Sequence, residues 1–298
     1  MRLDEFKQPI KEGGNAVKMS TRINQDNVKA TLTHIYEILL PRLKVNVDDT
    51  ASLGSTGKKA SGDSSGDIDL AVSVQALVTN NKIETPQELY DFITEVANEI
   101  SPEVKDMRGI GIVSMAWPIV NVDGKQKGQY VQLDVMTVDS VEWAKWAYYA
   151  PSFNDSPWKG LYRNELLYAL AKEMNYETVA KAMTDSGEEV DTEWKRDFFD
   201  LSKGLLTGTQ TRMGKKGIVK TVKTIDKVLK SNDPADVVQM MFGPDVKPKD
   251  VLTWEDTFRM INDPKFIYSD KRDSIFKMAK QGILNKGFPV PPELNKEV

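Results

Sequence analysis

The chain has 298 residues, 40 Lys and Arg against 44 Asp and Glu, and a formal net charge of −4, enough for about two domains with a core in each. It has no cysteine and one histidine, which excludes disulfides, thiolate zinc sites and cysteine nucleophiles and nearly excludes histidine triads. No apolar run approaches the ~18 residues of a membrane span and the start, MRLDEFKQPIKEGGNAV, lacks the apolar core of a secretion signal, so the expectation is a soluble, cytoplasmic protein whose chemistry falls to carboxylates, Lys, Arg, hydroxyls or a bound metal.

Residues 1–20 read as a flexible segment, with Gly13 and Gly14 at its centre. From Asn24 to Leu43, Val28, Leu32, Ile35, Leu39 and Leu40 recur at helical spacing, with Asp26 or Ser20 as the cap. His34 lies inside this run, where a lone histidine packs or caps rather than catalyses. Thr85-Pro86-Gln87-Glu88 then starts a helix, with a cap, a proline at the first helical position and Glu three residues after the cap; Ser101-Pro102 ends it. A β-hairpin follows, with arms Ile110–Val122 and Gln129–Val138 around a turn at 123–128. On the return arm Val131, Leu133 and Val135 take one face and Gln132, Asp134 and Met136 the other.

The composition shifts near Ser140, and the remainder reads as largely helical: Val141–Tyr149, Pro157–Met174 behind a Ser156 cap, and further helices to about Gln281. Trp143, Trp146, Tyr148, Tyr149, Phe153, Trp158 and Tyr162 crowd the junction, as a base-stacking wall or as core packing between domains. Lys159 and Arg163 sit where they can meet a triphosphate or simply face solvent. Between Arg212 and Lys230 seven basic residues stand against the single acid Asp226. Lys216, Lys220, Lys223, Lys227 and Lys230 follow helical spacing, a stripe that suits a nucleic-acid backbone or an ordinary solvated face. The end, GFPVPPELNKEV, reads as an extended tail. The expected plan is a flexible segment 1–20, an α/β domain 21–140, a helical domain 141–284 and a tail 285–298, an α+β chain overall.

The chemistry concentrates in ASLGSTGKKASGDSSGDIDLAVS, from Ala51 to Ser73. A Gly54-Ser55 turn leads through a polar, glycine-rich loop to a strand carrying Asp67 and Asp69. Strand alternation puts both carboxylates on one face and Ile68, Leu70 and Val72 on the other. Like charges that close repel, and a cation between them relieves the repulsion, so the pattern reads as a hard-metal site bordering a backbone-lined phosphate pocket. A P-loop does not fit: Ser52 stands where its first glycine is needed, and Lys59 follows Gly57-Lys58. An EF-hand loop fails as well, for want of its glycine and distal Glu. A plain surface loop entering an edge strand is the structural alternative.

A Gly-Ser turn, a polar loop and Asp-x-Asp on a strand resemble the active-site signature of the DNA polymerase β-like nucleotidyltransferase superfamily. The Ser55-to-Asp67 spacing is similar to that of archaeal-type CCA-adding enzymes, with poly(A) polymerases carrying a variant. The resemblance covers about two dozen residues and implies a palm-like mixed sheet with helices, its first strand supplied by Lys44 to Leu53, followed by a helical domain. It further implies a third metal carboxylate on a later strand, which falls on Asp134, with Asp139 as the neighbour better explained as a helix cap. Gly54, Ser55, Thr56 and Lys58 are then the nucleotide-binding positions, with Lys59 beside them. Asp67, Asp69 and Asp134 hold two Mg²⁺ ions, Mn²⁺ substituting. The implied activity is transfer of a nucleoside monophosphate from an NTP to an acceptor hydroxyl, with RNA, tRNA above all, as the expected acceptor and Lys216, Lys220, Lys223 and Lys227 as its contacts. A small molecule, a protein or a second nucleotide as acceptor, and a catalytically silent RNA-binding or assembly module, are the alternatives.

Overall fold

The computed structural model describes residues 16–56, 58–152, 155–183, 187, 189–213 and 221–295. The chain divides into two compact units that meet in sequence at Lys159–Gly160. The architecture is α+β, with a mixed sheet flanked by helices and a helical C-terminal region.

In the first unit β1 (Ile23–Asn24) leads into α1 (Gln25–Leu43). Asn24, rather than Asp26 or Ser20, is the residue at the cap position, and it makes no side-chain cap bond to the helix. A short 3-10 turn over Val47–Asp49 precedes β2 (Thr50–Ser52), so the expected first strand is confined to its last residues. Next come β3 (Ser64–Ser65), β4 (Asp67–Ser73), α2 (Val74–Asn81) and α3 (Pro86–Ile100). The Thr85 hydroxyl accepts the Glu88 N–H at the start of α3, as the sequence anticipates. β5 (Val104–Met107), β6 (Ile112–Pro118), β7 (Tyr130–Val138) and α4 (Val141–Ala147) complete the unit. α4 is therefore part of the first unit, beyond the expected boundary at Ser140.

The sheet runs β2-β4-β7-β6-β5, with β4 and β7 parallel and the other pairs antiparallel. One face is apolar: Ile68, Leu70, Val72, Val113, Met115, Val131, Leu133 and Val135 pack with Val28, Ile35 and Leu39 of α1 and Leu89 and Ile93 of α3. Truncating a fully buried side chain such as Leu39 to Ala costs about 2–5 kcal/mol. The opposite face is divided along the strands. Ala71, Met136 and Val138 pack with Ala144 of α4, while the strand starts on that face bear Asp67, Asp69 and Asp134. Position along β4 and β7 thus separates core from site.

In the second unit α5 (Gly160–Met174) starts three residues later than expected, because the Ser156 hydroxyl accepts the Trp158 N–H in a turn that precedes the helix. The sequence then departs from the helical expectation. β8 (Glu177–Met183), β9 (Glu189–Asp200), β10 (Gly204–Met213) and β11 (Thr221–Ser231) form an antiparallel sheet in the order β11-β10-β9-β8. Thr221, Val222, Thr224, Ile225 and Val228 are β-branched, and the strand takes them in preference to a helix because β10 supplies the ladder partner. α6 (Pro234–Phe242), α7 (Trp254–Asn262) and α8 (Arg272–Asn285) follow, the first two capped by Asp233 and Thr253. The tail is not simply extended, since Pro292–Asn295 makes a 3-10 turn with Leu294 buried. Among the described residues no helix is long and apolar enough to cross a membrane.

Candidate metal centre and its cleft

The register of β4 on β7 sets Asp69 directly opposite Asp134 and Asp67 opposite Gln132. Each of the three aspartates offers an oxygen within 4.8 Å of the others. Loss of water around Asp69, then the charges of Asp67 and Asp134, push its pKa up to about 8. Burial also raises the pKa of Asp134, against the pull of hydrogen bonds from Ser114 and Gln132. Asp69 keeps part of its surface in solvent, and loss of water and its two charged neighbours all act in the same direction. Three carboxylates that cannot all ionise comfortably, with only oxygen donors, fit a hard divalent cation. The trio can hold a metal ion.

The Gly54-Ser55 loop borders these carboxylates. The Leu53 N–H donates to the Asp69 carbonyl at 2.9 Å, and the Thr56 hydroxyl donates to the Asp67 carbonyl at 2.9 Å. Thr56 is buried by that bond, a strut for the loop, whereas Ser55 lines an open cleft. Gly54 has φ +69°, and a Cβ there would stand 3.2 Å from Asp69 Oδ2, so both conformation and space favour glycine.

The cleft measures about 430 Å³ and is walled by Arg22, Ser55, Lys58, Lys59, Gly62, Asp63, Ser64, Ala150, Pro151, Ser156, Pro157, Trp158 and Lys159. Arg22, Lys58, Lys59 and Lys159 outnumber the single acid Asp63, in a chain that is acidic overall. Lys58 Nζ donates to the Ala150 carbonyl at 2.9 Å and lies 4.8 Å from the centre of the Tyr149 ring. Burial lowers its pKa. Lys59 Nζ and the Arg22 guanidinium both donate to the Ser64 carbonyl, at 2.9 and 2.7 Å. Four cationic groups around a glycine-bearing loop suit a phosphate chain, and Trp158 between Pro157 and Lys159 gives one wall an aromatic face.

Other sequence candidates go elsewhere. Arg163 is fully buried in the second unit, where its Nε donates to the Val251 carbonyl at 2.7 Å, so it does not line the cleft. Lys223 and Lys227 are exposed on β11, a strand and not the expected helix; Lys216 and Lys220 lie outside the described residues. Asp139 precedes Ser140, whose hydroxyl caps α4 by accepting the Trp143 N–H. Trp143 and Trp146 are buried together at 5.2 Å in the first unit, and Tyr162 packs edge-on against Trp254 in the second. His34 accepts the Trp117 indole N–H at 3.2 Å, a packing role.

No family model matches the chain, and no curated protein matches it. Three contributors escaped the sequence reading. Ser114 and Gln132 bond Asp134 directly, and Arg22 reaches the cleft from the segment before α1. For Gln132 a signal was present, since alternation along β7 puts it on the face of Asp134.

Proposed function

We propose that the protein transfers a nucleoside monophosphate from an NTP to an acceptor hydroxyl, on a palm-like domain of the polymerase β-like nucleotidyltransferase type. The observation that carries the reading is the convergence of Asp67, Asp69 and Asp134 beside the Gly54-Ser55 loop, whose Ser55 lines a cleft with four basic side chains; the three aspartates themselves are not among the residues that wall it. When bound, two Mg²⁺ ions, with Mn²⁺ substituting, supply charge neutralisation at the attacking and leaving oxygens. Asp67 and Asp69 would hold both ions, and Asp134 the one on the acceptor side. Ser55, Lys58 and Lys59 would bind the triphosphate, with Arg22 and Lys159 adding positive charge, and Trp158 would cover the base. The acceptor hydroxyl oxygen would bond to the α-phosphorus as its proton passes to solvent, the bond from the α-phosphorus to the α–β bridging oxygen would break, and pyrophosphate would leave with that electron pair. An RNA 3′ end is the proposed acceptor, supported by exposed Lys223 and Lys227 on β11 and by the basic run that precedes them.

Incubation with each labelled NTP, Mg²⁺ and total RNA tests the proposal. Label carried into RNA with release of pyrophosphate is the expected result. Pyrophosphate without labelled RNA would move the acceptor to a small molecule, a protein or a second nucleotide. No pyrophosphate with any NTP and any of these acceptors would withdraw the activity.

A further inference from the structure

Gln132 is 3% exposed and stands two residues before Asp134 on the same face of β7. Its Nε2 donates to both oxygens of the Asp134 carboxylate, at 2.9 and 3.0 Å. Its Oε1 accepts the backbone N–H groups of Ala16 at 2.8 Å and Val17 at 3.2 Å. The orientation of this amide is dictated by chemistry. Turned over, its NH₂ would face two donors and its oxygen two carboxylate oxygens, leaving every contact repulsive. The Ser114 hydroxyl adds a third bond to Asp134, at 2.5 Å to Oδ1.

The segment that orients Gln132 is itself tied down. Lys18 and Met19 donate their N–H groups to the Glu103 carboxylate, both at 2.9 Å, and the Thr21 N–H donates to the Tyr130 carbonyl at 2.7 Å. Val17 is 2% exposed. The backbone is thus anchored on the C-terminal side of the contact with Gln132, at residues 18–21, where the sequence reads a flexible segment up to residue 20; the first fifteen residues lie outside the described ones.

We propose that Gln132 is a positioning residue for the metal centre: it fixes the Asp134 carboxylate beside Asp69, and the backbone at Ala16 and Val17 fixes Gln132. The inference rests on the reading of Asp67, Asp69 and Asp134 as a metal site. Groups that hold a ligating carboxylate from behind set its orientation, and losing one typically costs about 10–100-fold in metal affinity or activity. The backbone at Ala16 and Val17 thereby becomes part of the support of the site.

The test titrates Mn²⁺ alone into the full-length protein by calorimetry, with the melting temperature of each metal-free variant measured in parallel. Gln132→Ala is expected to weaken Mn²⁺ binding about 10–100-fold, with the metal-free melting temperature lowered by a few degrees because the Ala16 and Val17 N–H groups lose their acceptor. Ala16→Pro, which removes the stronger of the two donors to Oε1, is expected to weaken it less. The double variant should bind no more weakly than Gln132→Ala, because both changes break one chain of contacts. If Gln132→Ala loosens the fold, Gln132→Met fills the same space without the amide and serves instead. Wild-type affinity in the Gln132 variants, or losses that simply add in the double variant, overturns the proposal while leaving the metal site standing. Absence of Mn²⁺ binding by the wild-type protein overturns the metal site and this proposal together.

Discussion

Gly54 and Asp69 approach so closely that a β-carbon at position 54 would sit 3.2 Å from Asp69 Oδ2. The backbone there, at φ +69°, already disfavours an L side chain by roughly 1–2 kcal/mol. Gly54→Ala should therefore lower stability modestly and also displace the Asp69 carboxylate by a few tenths of an ångström. Gly124, at φ +77° in the hairpin turn with nothing within 4 Å, provides the comparison. Gly124→Ala carries similar strain without the contact. Both variants should melt a few degrees early, and only Gly54→Ala should lose nucleotidyl transfer, by about tenfold or more. Equal activity in the two would mean that the close approach has no part in the site.

The raised pKa of Asp69 makes the metal-free protein sensitive to pH. The folded state holds this proton up to a pKa of about 8, against 3.8 for the ordinary side chain. The stabilisation is fully present below the unfolded pKa and is lost as the pH rises toward 8. The proton is shared among three interacting carboxylates, so the transition belongs to the trio. Metal-free protein should lose stability between about pH 4 and pH 8, with a slope of at most about 1.4 kcal/mol per pH unit, reduced because Asp69 is partly solvated. Asp69→Asn should flatten that slope. Mg²⁺ binding at pH 7 should release close to one proton, measurable by calorimetry in buffers of different ionisation heat. A flat wild-type profile from pH 4 to 8 would contradict the shift.

Lys223 and Lys227 offer a test of the acceptor. Lys227 lies 5.3 Å from the Phe198 ring centre, and Lys230 is paired with the buried Asp197 at 2.9 Å. Replacing Lys230 would therefore damage the fold, whereas Lys223→Gln with Lys227→Gln should leave it intact. If single-stranded RNA lies along β11, each lost phosphate contact reduces the slope of log affinity against log salt by about 0.7. The double variant should thus flatten the slope by up to about 1.4 while NTP affinity holds. An unchanged slope would remove β11 from the RNA path.

Legibility followed how local each signal was. The start of α3, the β6–β7 hairpin and the alternation of Asp67, Asp69 and Asp134 are matters of a few adjacent residues, and all are readable in the chain. The second unit was misread because lysines at three- and four-residue spacing suit a helix while the β-branched residues between them suit a strand. The choice between the two depends on β10, whose pairing no local pattern reveals. The cleft is assembled from Arg22, the 55–64 loop and the 150–159 segment, three pieces well separated along the chain. Gln132 looked like an ordinary polar strand residue, since its function lies in bonds to Ala16 and Val17 that only the fold brings near.

Asp134 and Asp139 lie five residues apart, and the structure gives them opposite surroundings. Asp134 is 7% exposed, opposite Asp69 and bonded by Ser114 and Gln132; Asp139 is exposed and precedes the Ser140 cap of α4. In Asp134→Asn the amide oxygen, placed where Oδ1 stands, can still accept from Ser114 and Gln132, while the bond from Gln132 to Oδ2 is lost, so the strand should survive with one bond fewer at its side chain. The principal loss is the negative charge beside Asp69. Asp67, Asp69 and the Gly54-Ser55 loop remain to hold a nucleotide and its cation, so the damage should fall on turnover, by about 100-fold or more, with nucleotide affinity little changed. Asp139→Asn touches neither the trio nor the Ser140 hydroxyl and should leave both quantities within about twofold of wild type. Steady-state kinetics with a nucleotide-binding titration separates the outcomes. An inactive Asp139→Asn beside an active Asp134→Asn would place the reaction on residues other than this trio. Wild-type rates in both would leave two carboxylates at most, too few for the two-ion arrangement proposed for the site.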